Sequence, residues 1–140
     1  MADVSITAAQ VAPISNTTYD TRTVDGIAGA SITAGQPLYI DTAASNSLKL
    51  ADADGTAPAY TCAGIALHAA TSGQPIKYAN GGNYYPGFAV TPGAVYVLST
   101  TAGGIAPVAD VTTSNYTTVL MIGLTTATAR IVNATAGVRG

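Results

Sequence analysis

Apolar residues along the chain come in short bursts and do not recur at the three- and four-residue spacing of an amphipathic helix. The bursts are Leu38-Tyr39-Ile40, Leu48-Lys49-Leu50, Tyr60–Leu67, Ile76-Lys77-Tyr78, Phe88-Ala89-Val90, Val95–Leu98, Thr117–Leu124 and Arg130-Ile131-Val132. Each is rich in β-branched or aromatic side chains, the composition of a strand. Turn residues separate them: Ala34-Gly35-Gln36-Pro37, Asp54-Gly55, Ser72-Gly73-Gln74-Pro75, Asn80-Gly81-Gly82-Asn83, Thr91-Pro92-Gly93 and Gly103-Gly104. With 15 Gly and 7 Pro, long helices have no room. The pattern predicts an all-β protein, a small β-barrel or sandwich of short strands. Gly64 and Gly123 fall inside apolar strands, where they predict bulges or bends that help a small sheet curl.

The pattern also repeats. Ile32-Thr33-Ala34-Gly35-Gln36-Pro37-Leu38-Tyr39-Ile40 resembles Val90-Thr91-Pro92-Gly93-Ala94-Val95-Tyr96-Val97. Gly35, Ala51 and Asp52 recur 58 residues on as Gly93, Ala109 and Asp110, with Tyr39 and Tyr96 57 apart and Gly64 and Gly123 59 apart. Residues 30–80 and 88–135 therefore read as two similar β units within one domain over 26–140. Residues 1–25 lack the pattern. Val4, Ile6, Val11 and Ile14 alternate there with small polar residues. The segment reads as an N-terminal arm or exchanged strand, with an extra edge strand as the alternative. On the arm reading, deleting residues 1–21 leaves a folded body that has lost its grip on a partner.

Charge narrows the partners. Charged residues make up 9% of the 140, with seven Asp, no Glu, five Lys plus Arg and a net charge of −2, against about a quarter in an average protein. A skin of Ala, Thr, Ser, Asn and Gly suits contact with other protein, because burying a methyl or hydroxyl costs far less than burying a charge. This balance argues against nucleic acid, since phosphate binding asks for clustered Lys and Arg, and no two of Arg22, Lys49, Lys77, Arg130 and Arg139 are close in sequence. No apolar run approaches the roughly 18 residues of a membrane helix. Cys62 is alone, so no disulfide forms within the chain. The first residues lack a secretory signal pattern, and the expectation is folding in a cytoplasm without export.

The inventory of reactive groups is that of a non-enzyme. One histidine, His68, and one cysteine, Cys62, stand without any Glu, too little for acid–base or nucleophilic chemistry. No ligand spacing for a metal or cofactor is present. Asp52-Ala53-Asp54-Gly55 has the opening spacing of a calcium loop, but no closing Glu and no third nearby carboxylate follow. It reads as a tight Asp-Gly turn. The segment joining the two proposed units, Asn80–Phe88, holds Tyr84, Tyr85, Pro86 and the one Phe. With Tyr19, these are the candidate protein-contact residues, since exposed tyrosines give large contact area at low entropic cost. The alternative is that Tyr85 and Phe88 plug one end of a barrel.

Ile32–Asp41, Leu50–Gly55, Ala63–Leu67, Ser72–Ile76, Gly93–Val97 and Gly103–Pro107 together resemble a family of small tailed-phage head proteins, the capsid decoration or cement proteins. The resemblance covers about residues 26–135. It implies a β-tulip-like fold and a homotrimer on the outer capsid surface, at three-fold and quasi-three-fold positions of the major capsid protein lattice. There it clamps neighbouring subunits of the DNA-filled head. It brings no catalytic residues, and residues 1–25 lie outside it. Two other readings share the Thr- and Gly-rich β composition: a trimeric glycan-binding tail or surface adhesin, and a tail or fibre subunit.

Overall fold

The computed structural model describes residues 3–15, 18–55, 58–110 and 116–138. Among these residues ten strands carry the fold: β1 (Ala12–Pro13), β2 (Arg22–Ile27), β3 (Pro37–Asp41), β4 (Ser47–Leu50), β5 (Gly64–Ala66), β6 (Pro75–Tyr85), β7 (Val95–Leu98), β8 (Ile105–Pro107), β9 (Tyr116–Gly123) and β10 (Ala129–Val138). Among the described residues, helix is confined to three-residue 3-10 turns. The protein is all-β, a curled antiparallel sheet with the strand path β4-β3-β5-β6-β10-β9-β7-β8, to which β1 and β2 add by pairing with β6.

That path runs the same way twice. β3 pairs with β4 and β5, and β5 pairs with β6. β7 pairs with β8 and β9, and β9 pairs with β10. The halves meet where β6 and β10 pair antiparallel, Tyr84 opposite Ala129. Equivalent turns launch β3 and β7. In Thr33–Gln36 and Thr91–Ala94 the fourth N–H donates to the first carbonyl, at 3.4 and 3.0 Å. The third residue is Gly at φ +94 or +80, the left-handed position of a type II turn that favours glycine. Gly35 N–H then bonds Ala66 O, as Gly93 N–H bonds Gly123 O, both at 2.8 Å. This geometry corrects the sequence alignment. Ala66, not Gly64, occupies the place of Gly123, and Leu38, not Tyr39, that of Tyr96. Leu38 and Tyr96 both point into the core, whereas Tyr39 is half-buried.

The two halves enclose separate apolar clusters. Ala28, Ile32, Leu38, Leu48, Ala66, Ala70, Ile76 and Tyr78 fill the first. The second is larger and centres on Tyr84, Phe88, Tyr96, Leu98, Ile105, Leu120 and Met121, with Ile65 and Ala79 reaching in from the first half. The first half curls until the far edge of β4 meets the chain just after β2, through a bridge from Ala28 to Leu48 and a 2.7 Å bond from Gly29 N–H to Leu48 O.

Residues 3–15 and 18–25 are not a free arm. Val4 N–H bonds Ile105 O on β8 at 2.8 Å, Thr7 N–H bonds Gly87 O at 2.7 Å, and β1 then pairs with the end of β6. The segment is a strap running from the outer edge of β8 to β6. Its alternation explains this: Val4 and Ile6 turn inward while Asp3, Ser5 and Thr7 face solvent. Glycines make the seat. A Cβ on Gly35 would lie 2.5 Å from Ile6 Cγ2, and one on Gly87 would lie 2.8 Å from Val11 Cγ2. The Asp3 carboxylate also accepts a bond from the Ser99 hydroxyl.

Asn80-Gly81-Gly82-Asn83 is not a turn either; it is the middle of the 11-residue β6. The glycines serve a close approach instead. The Arg22 guanidinium lies over Gly81 where a Cβ would sit, and the Asp20 carbonyl does the same at Gly82, whose φ is +79. Gly82→Ala therefore meets both a left-handed backbone and a backbone oxygen that cannot step aside. It is expected to cost about 1–3 kcal/mol, read as a lowered urea midpoint at unchanged slope. Other boundaries differ as well. β5 is shorter than the burst Tyr60–Leu67, Phe88–Val90 forms no strand, and β8 has no counterpart among the expected strands.

Candidate protein-contact surface

Strand alternation sorts the candidate residues. Tyr84 points inward and is wholly buried, its hydroxyl 3.3 Å from Met121 Sδ, and burial pushes its phenol well above the ordinary range. Pro86 is buried too. Phe88 packs edge-on against Tyr96, ring centroids 5.0 Å apart. These three belong to the core and offer no outward surface, so their place among the contact candidates is corrected. Tyr85 faces out at 42% exposure, and Tyr19 at 54%. Tyr85 borders a groove of about 470 Å³ lined by Ser5, Thr7, Gln10, Phe88 and Thr126. Tyr19 lies across the strap side of β6, with the Arg130 guanidinium 4.1 Å from its ring centre.

Register reveals a surface that the sequence reading missed. Val95 stands opposite Ile122, Ile122 opposite Arg130, and Arg130 opposite Asn83. Directly paired residues share a sheet face, so these four form one row across β7, β9, β10 and β6. Leu124 and Val132, two residues beyond Ile122 and Arg130 on antiparallel strands, flank the row on its two sides. Ile122, Leu124 and Val132 are each 37–41% exposed. The signal was in the sequence: an apolar residue on both faces of β9 and β10 is what a strand covered on both sides requires.

The reactive groups have structural work. His68 Nδ1 lies 2.9 Å from Ala69 O and Nε2 accepts from Lys77 N–H at 3.0 Å, so both ring nitrogens tie the β5–β6 connection together. Cys62 Sγ lies 3.4 Å from Gly64 O, and burial pushes the thiol up to about 12. Thiolate is the reactive form, so this shift works against reaction at the half-buried Cys62. Asp52 makes a tight turn, its side chain accepting from Asp54 N–H at 2.9 Å and its carbonyl from Gly55 N–H at 3.0 Å. Among the described residues no group of three His, Cys, Asp or Glu comes together as a metal site. Lys49 and Lys77 pair with Asp41 and Asp25 at 2.8 and 2.9 Å. The hydrogen bond from Lys49 holds the Asp41 carboxyl below its usual range.

No protein-family model matches the chain, and no curated protein matches it.

Proposed function

We propose that the protein is a structural virion subunit without catalytic activity: a homotrimeric decoration protein on the outer face of a phage capsid. It binds the major capsid protein lattice at three-fold and quasi-three-fold positions and stabilises the filled head. The observation that carries this reading is the outward face on which Ile122, Leu124 and Val132 stand exposed beside half-buried Val95, on a chain with hardly any charge. Apolar outward residues on a rigid sheet cost little to desolvate and gain on contact. A clamp needs such a body and no chemistry, and the commitment of His68 and Cys62 to the fold agrees with that. Three linked copies multiply individually weak contacts through effective concentration. The resemblance of the turn-and-strand segments to decoration proteins supports the same reading.

Cohesion of the trimer is expected to be mostly uncharged. Raising salt to about 1 M, where the Debye length is about 3 Å, leaves the trimer mass unchanged by light scattering; dissociation on salt addition would contradict an apolar interface. Function is tested by mixing purified protein with undecorated heads and sedimenting them. Saturable co-sedimentation is the expected result. A rival glycan-binding module would ignore heads and bind polysaccharide, and the Tyr85 groove, with its neutral hydroxyl and amide lining, is where it would do so.

A further inference from the structure

The four described Lys and Arg residues divide into two kinds. Lys49 and Lys77 each hold an aspartate. Arg22 and Arg130 belong to neither pair, and both line one cavity of about 400 Å³ with Thr18, Tyr19, Asp20 and Gly82. Separate devices position them. Arg130 donates Nε to Asn83 Oδ1 at 3.0 Å and stacks on Tyr19, which leaves its two Nη groups as the remaining donor edge. Arg22 lies over Gly81, in space kept clear by the missing Cβ. Like charges sharing a cavity repel, and the Asp20 carboxylate that borders it offsets only one of the two. An anion between them reverses the sign of that interaction.

Asp20 borders the same cavity, so the three groups sum to one positive charge. That sum matches a monoanion better than a dianion, and the planar guanidinium fork matches a carboxylate. The cavity also adjoins the exposed row, because Arg130 stands in it between Ile122 and Asn83. We propose that this cavity is a carboxylate site, filled by an Asp or Glu side chain of the partner protein that covers the row. The identity of the occupant rests on the contact reading above; the carboxylate preference does not.

The test has two arms. In the first, the arginine Nε–Hε resonances of the full chain are followed by NMR while acetate or phosphate is added at fixed ionic strength. Shifts of both Arg22 and Arg130 that saturate at millimolar acetate, and more weakly with phosphate, are expected. Arg130→Gln weakens acetate binding read at Arg22 by about tenfold, while Arg130→Lys, which keeps the charge but loses the fork, falls between. Shifts that never saturate, or that favour phosphate, overturn the site. In the second arm, R22Q/R130Q is expected to lower co-sedimentation with heads about tenfold, with Lys49→Gln unchanged and all variants melting like the parent. Saturating acetate shifts with undiminished head binding by the double variant overturn the occupant and leave the decoration reading standing. Saturating shifts in a parent that ignores heads keep the carboxylate site and overturn the occupant together with the decoration reading.

Discussion

Tyr84→Ala is expected to remove about 3–5 kcal/mol of folding stability, much of what a domain of this size has to lose. Tyr84 is the largest of the fully buried side chains. It sits where the two halves join, opposite Pro13 of β1 and Ala129 of β10. Its ring packs in the cluster that also takes Ile65 and Ala79 from the first half and Leu120 and Met121 from the second. Truncation leaves a cavity that neither half can close alone, because the sheet pairing fixes the backbone around it. Tyr84→Phe keeps the ring and loses only the contact of its hydroxyl with a thioether sulfur, a weak acceptor, so it should cost about 1 kcal/mol or less. Denaturant midpoints of the two variants measure the difference. An alanine variant that unfolds at the parent midpoint would mean that the halves are held together elsewhere.

Removing the strap should have an effect of similar size. Deletion of residues 1–13 takes away β1, uncovers the seat at Gly35 and Gly87, and exposes what Val4, Ile6 and Val11 cover. Val11 is buried and the other two are half-buried. At about 1.5–3 kcal/mol for a fully buried branched side chain, the loss comes to about 3–6 kcal/mol. Two backbone bonds, to Ile105 and Gly87, go with it. The truncated chain should melt far below the parent, and a synthetic peptide of residues 1–13 should restore part of the difference. Parent-like stability without the segment would return it to the role of a free arm.

Much of the β architecture was legible because its signals are local. The turns Thr33–Gln36 and Thr91–Ala94 need a left-handed third residue, and glycine at that position marks them in the sequence. Hidden features depend on distant partners. Gly81-Gly82 carries the local signal of a turn, yet Arg22 and Asp20 decide that it is a bare stretch of strand. Ending β6 early also hid the fate of the tyrosines. Once the strand runs to Tyr85, its far end puts Tyr84 inside and Tyr85 outside, while an irregularity at Ala79–Gly81, with Ala79 buried and Asn80 exposed, breaks the alternation from Ile76 and Tyr78. The strap failed for another reason: alternating small and apolar residues fit an arm and a docked strand equally, and only the glycines at 35 and 87 choose between them. Arg22 and Arg130 carry no shared signal at all, since pairing across β6 alone brings them to one cavity.

The proposed seat of this body is a capsid lattice. Light scattering on the purified protein, followed by electron microscopy of undecorated heads incubated with it, tests that most directly. A mass of three chains and new density at three-fold and quasi-three-fold positions is the predicted result. A stable monomer that leaves the heads bare would contradict it.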